Sequence, residues 1–168
     1  MKYFIYYCFG GTHSSPLAAA YHLKQLPMDR KPTDDEVKNV YLFNKLKPKD
    51  GGKIFYHGED ENGDKVYTVA KRYTKNVPNA IESLGLILLN NDDKIILSST
   101  SPTVPLAMTL GGFTSRFLHI DFIGVPLLVL GAKQTYMNLI KLVENTKNYH
   151  HLAAVKVTTL DNKNFNKD

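Results

Sequence analysis

Tyr3-Phe4-Ile5-Tyr6-Tyr7-Cys8-Phe9-Gly10-Gly11-Thr12-His13-Ser14-Ser15-Pro16-Leu17-Ala18-Ala19-Ala20 decides the fold. The unbroken apolar run over residues 3–8 predicts a strand buried on both faces, the pattern of a parallel sheet. Gly10-Gly11 and the hydroxyl residues after it break the run in a turn. Ser14 or Ser15 then caps a helix that carries Pro16 in its first turn and ends before Pro27. Strand, glycine loop and helix, in that order, open an α/β fold.

The rest of the chain continues the alternation. Thr33-Asp34-Asp35-Glu36 starts a second helix, its acids placed where the helix dipole favours them. It is expected to run through Val37, Val40, Tyr41 and Leu42. Residues 53–58 and 65–70 read as two strands around Asn62-Gly63, a strong hairpin turn. A helix is expected over residues 79–90, a buried strand over 94–99, a helix over 106–116 and a strand over 120–130. A helix over 134–145 and a last strand over 153–158 complete the pattern. Strands alternating with helices imply a three-layer α/β fold, a mostly parallel sheet with helices on both faces, plus a β-hairpin near residues 53–70. Residues 1–160 form a single domain, and 161–168 are a polar tail expected to fray.

Composition bounds the function. The chain has 168 residues, 43% of them hydrophobic and 22% charged, as a globular domain of this size requires. No apolar run approaches the roughly 20 residues of a bilayer span, so no membrane partner is expected. The first residues read as a strand rather than a signal peptide. The single cysteine excludes an internal disulfide and a Cys-rich zinc site, and points to a reducing, cytoplasmic location. The net charge of +5 is spread along the chain and countered by Glu59-Asp60-Glu61-Asp64, so a nucleic-acid partner is not expected. The oligomeric state is not legible. No histidine–carboxylate spacing suits a metal ion. The loop lacks the Gly-Lys-Ser/Thr ending of a Walker A motif and the Gly-x-Gly-x-x-Gly of a dinucleotide site, so no cofactor is implied.

The first loop carries the candidate chemistry. In open α/β sheets, ligands bind beyond the carboxyl ends of the strands, where helix N-termini attract anions. Gly10 and Gly11 let a ligand approach the backbone. Thr12, Ser14 and Ser15 add hydroxyl groups, and His13 adds a donor expected to be cationic near neutral pH. Cys8 sits at the loop's entrance, where the same field favours a thiolate nucleophile. Ser99 and Ser101 end the strand over 94–99 and are expected at the same sheet edge. Arg116 is a further candidate for gripping an anion. His57 and the pair His119-x-Asp121 are weaker candidates on expected strands.

The run Cys8 to Ala20 resembles the phosphate loop and first helix of low-molecular-weight protein tyrosine phosphatases. Those carry Cys-x5-Arg-Ser-Pro directly after the first strand. Cys8, Ser15 and Pro16 match their nucleophile, loop serine and helix-starting proline. Ser14 stands in place of their arginine, which grips phosphoryl oxygens bidentately, and the chain has no Asp-Pro acid. A second resemblance covers most of the chain. Cys-x-Gly-Gly-Thr-His-Ser-Ser with its Ala-rich helix resembles DUF3189, a family of Gram-positive bacterial proteins with no assigned activity. The strand over 53–58, the run Leu110-Gly111-Gly112-Phe113-Thr114-Ser115-Arg116 and Leu130-Gly131 resemble the same family.

Two functions follow. One is a protein that binds a phosphate-bearing or other anionic small molecule at the first loop. An enzymatic form would be a Cys-dependent hydrolase or phosphotransfer-type enzyme with Cys8 as nucleophile and His13 as acid or base. The other is a non-catalytic regulatory or interaction module with a degraded phosphatase-like loop.

Overall fold

A computed structural model of the chain describes residues 1–74, 76–149 and 155–165. Its five strands are β1 (Lys2–Cys8), β2 (Ile54–Glu59), β3 (Lys65–Ala70), β4 (Lys94–Ser99) and β5 (Val157–Leu160). Their order is β2-β3-β1-β4-β5, and β2 is the one antiparallel edge. The apolar opening run thus becomes the central strand, buried from Phe4 through Cys8. Tyr7 lies opposite Val69 on β3 and Ser99 on β4, so three C-terminal strand ends are level.

Helices cover both faces. Phe4, Tyr6, Val66 and Ile96 pack beneath α1 (Ser14–His22) and α5 (Asp121–Tyr149). Ile5, Tyr7, Leu97 and Val157 pack on Ile81 of α3 (Asn76–Leu88), on the other face. The short α2 (Asp34–Asn39) opens with a reciprocal capping box between Thr33 and Glu36. It stops three residues short of Leu42, because Leu42 (φ 66°) and Asn44 (φ 53°) turn left-handed to bring Asn44 onto the first loop.

Residues 120–130 are not a strand. From Asp121 they are the first turns of α5, which follows α4 (Leu106–Arg116) after a short turn. The two helices meet through glycines: a Cβ on Gly124 would lie 2.6 Å from the Ser115 nitrogen, and one on Gly131 would lie 2.6 Å from that of Met108. The helical period is hidden because Phe122, Ile123 and Leu130 are apolar yet exposed, opposite Gly124 and Leu128 at the α4 contact. His119 accordingly lies in the α4–α5 turn (φ 57°), not on a strand.

The last strand starts at Val157. Residues 155 and 156 precede it, and 153–154 lie outside the described residues. The tail is anchored as far as Phe165: the Asn162 side chain donates to Ser98 Oγ and to the Ser99 carbonyl, and Phe165 packs on the main core. Residues 166–168 lie outside the described residues. Among the described residues no helix is long and apolar enough to cross a membrane.

Candidate functional site

Strand order β3-β1-β4 sets three loops side by side at one sheet edge. The β1–α1 loop is clamped from both sides. The Lys71 and Arg72 N–H groups donate to the Cys8 and Phe9 carbonyls, both at 3.0 Å, and the Thr100 N–H donates to the Tyr7 carbonyl at 2.8 Å. Gly11 (φ 66°) touches the end of β3 so closely that a Cβ there would lie 2.9 Å from the Ala70 nitrogen. Only glycine fits both demands.

Within the clamp the loop wraps around sulfur. Cys8 Sγ accepts the Gly11 N–H at 3.1 Å and lies 3.3 Å from Ser15 Oγ. Ser15 is therefore a partner of Cys8. Ser14, fully buried, is turned instead to Thr100, with its Oγ 2.9 Å from Thr100 Oγ1. Thr12 Oγ1 donates to the Leu42 carbonyl and accepts from the Lys45 and Leu46 N–H groups, so it anchors the segment over 42–46.

That segment holds His13. His13 Nε2 lies 3.2 Å from Asn44 Oδ1, Asn44 Nδ2 donates to Ser115 Oγ at 2.8 Å, and Ser115 Oγ donates to Asp121 Oδ1 at 2.5 Å. The direction of this chain is set at its far end, where Ser115 donates to Asp121. Ser115 must give its proton to Asp121 and so accepts from the Asn44 amide. Asn44 then presents its oxygen to His13, and Nε2 carries the proton. Nδ1 is left as the acceptor. Burial lowers the His13 pKa to about 4, the Asn44 bond opposes this and the nearby Arg116 charge adds to it. The expected cationic His13 is thus a neutral imidazole. Its ring needs the space left by Gly112, where a Cβ would lie 3.0 Å from His13 Cε1.

Above the loop lies a cleft of about 790 Å³. Cys8, Gly10, Thr12, His13, Ser14, Ser101 and Arg116 line it; Gly11, Ser15 and Ser99 do not. Arg116 donates both guanidinium bonds to the carbonyls of Asn44 and Leu46, which ties down the segment under His13. Among the described residues, Ser101 Oγ is buried without a hydrogen-bond partner. So is Nε of Arg72, a lining residue that sequence reasoning missed. Arg72 Nη2 donates to the Lys47 carbonyl at 2.7 Å, and its backbone is left-handed (φ 53°), a strained geometry of the kind found at functional sites. Its one signal in the sequence is a cation two residues past a strand end. His57 lies elsewhere, 2.9 Å from Thr68 Oγ1 on the hairpin.

A family model described as a protein of unknown function (DUF3189) matches residues 3–148. The chain belongs to DUF3189. The match takes in the whole cleft of this DUF3189 chain, from Cys8 to Phe117. No curated protein and no solved structure matches it.

Proposed function

We propose that this DUF3189 protein binds a phosphate-bearing or other anionic small molecule over the β1–α1 loop and uses Cys8 as a nucleophile on it. The carrying observation is the Cys8 sulfur held by the Gly11 N–H and beside Ser15 Oγ on the floor of the cleft. Strand order supports the placement of a head group. Arg72 stands on the β3 side of Cys8 and Ser101 on the β4 side, each with a buried polar atom lacking a partner among the described residues. An anion between them receives a positive charge and a hydroxyl donor. On a phosphate monoester, the Cys8 thiolate attacks phosphorus. The S–P bond forms, the ester P–O bond breaks, and the departing oxygen takes a proton from water. A second water then attacks phosphorus and gives its proton to His13 Nδ1, the S–P bond breaks to free phosphate and the thiolate, and the hydroxide left by the first step takes the proton back from His13.

The rival, a non-catalytic binding module, draws on Ser14. That residue is buried against Thr100 where a phosphatase would aim an arginine at the phosphoryl oxygens. Turnover of p-nitrophenyl phosphate decides between them. The enzyme reading expects hydrolysis that Cys8→Ser abolishes, with phosphate binding retained by Cys8→Ser and lost in Arg72→Ala. Binding without turnover supports a non-catalytic module, and absence of phosphate binding by calorimetry overturns the anion-binding reading and leaves the regulatory or interaction module.

A further inference from the structure

We infer that the ligand of this cleft is an anionic amphiphile: one anionic head on an elongated apolar body, alkyl or aryl. The inference rests on the anion-binding reading and names the rest of the molecule. A head of four oxygens fills on the order of 100 Å³ at about 30 Å³ per water-sized group, a small part of the 790 Å³ available. The remainder is walled by Leu46, Val104 and Met108. The threonines on these walls are already engaged, Thr12 with the Leu42 carbonyl and Thr109 with that of Pro105. A polyhydroxylated body, such as a sugar, would therefore lose water without finding partners.

The mouth of the cleft points the same way. Phe113 of α4 and Phe117, just past its end, line it as a stacked pair, ring centres 5.2 Å apart, yet are 53% and 73% exposed. Phe9 from the clamped loop and Tyr73 from the loop after β3 line it as an edge-to-face pair 4.7 Å apart, with Tyr73 95% exposed. Neither pair is held by the core. Four exposed aromatic rings around one polar floor fit an apolar chain or ring that passes between them.

Calorimetric titration with inorganic phosphate, methyl, butyl and octyl phosphate, phenyl phosphate, glucose 6-phosphate and 1-octanol tests this. Affinity should climb about fourfold per methylene until the cleft is filled. Phe113→Ala, an exposed change that leaves the fold intact, should weaken octyl or phenyl phosphate several-fold and leave inorganic phosphate unchanged. The better of octyl and phenyl phosphate tells a chain from a ring, and either supports the inference. A flat series, or glucose 6-phosphate binding as tightly as octyl phosphate, overturns it while the anion reading stands. Octanol binding as tightly as octyl phosphate, indifferent to Arg72→Ala, overturns the anion reading and with it the anionic head, leaving only an apolar ligand. Binding of none of the probes overturns both.

Discussion

Helix α1 carries a histidine at each end, and the two differ in one respect. His13 precedes its first turn and His22 closes its last, and burial lowers both pKa values to about 4. His22 has both ring nitrogens engaged. Nδ1 lies 2.8 Å from the Tyr6 hydroxyl and Nε2 lies 3.1 Å from Asp60 Oδ2, while Phe4 packs on the ring at 4.6 Å. Lys147 completes this end, 3.6 Å from Asp60 and 2.9 Å from Glu61. His13 has one nitrogen tied to Asn44 and lines an open cleft. Type, helix and pKa direction are shared. What separates a histidine that ties the fold together from one available to a ligand is whether its second nitrogen is occupied.

The largest test of that contrast is His22→Ala. It opens a cavity between Phe4 and Tyr6 and takes a partner from a buried carboxylate, so urea unfolding should show a loss of about 3–5 kcal/mol. Phosphate affinity in the folded fraction should be unchanged. A loss under about 1 kcal/mol would place His22 outside the framework.

Acid tests both ends together. With folded pKa values of about 4 against an unfolded 6.5, the unfolded chain binds more protons between those limits. Stability therefore rises with pH across that window: it is fully present above 6.5 and lost as pH falls towards 4. For His22, which is buried, the loss is on the order of 3 kcal/mol. Asp60, its pKa lowered mainly by hydrogen bonds that outweigh its burial, adds a loss only at still lower pH. His22→Gln should reduce the slope between 6.5 and 4, leaving the part that His13 and His57 contribute; an unchanged slope would mean that His22 does not carry its share.

The smallest stability effect belongs to His13→Ala. Removing one bond to Asn44 at a partly exposed position should cost about 1 kcal/mol or less. Thermal melts would show this beside a loss of p-nitrophenyl phosphate turnover with little change in phosphate affinity. A melt shifted as far as that of His22→Ala would erase the contrast.

Much of this architecture was readable in the residues. The buried run before Gly10-Gly11, the Asn62-Gly63 hairpin and the Thr33–Glu36 cap are local signals, and each formed where its chemistry placed it. Residues 120–130 misled because a helix with apolar residues on its solvent side has no visible period. The site was half legible. Cys8, Gly10 and His13 announce themselves in one loop. Arg72 reaches the cleft, and the Asn44–Ser115–Asp121 chain reaches His13, only through strand order and helix packing, which carry no local mark in the sequence. Ser99 and Ser101 are indistinguishable by type, yet one faces the cleft and the other turns away.

The glycines around the cleft foretell how this family can drift. At position 11 any side chain would strike the backbone of residue 70, so no exchange at a neighbour could make room, and that position should stay glycine in every relative with this loop. At position 112 the obstacle is the His13 ring itself. A lineage that gives up the imidazole frees that space, so residues 13 and 112 should change as a pair: histidine with glycine, or a smaller residue with a larger one.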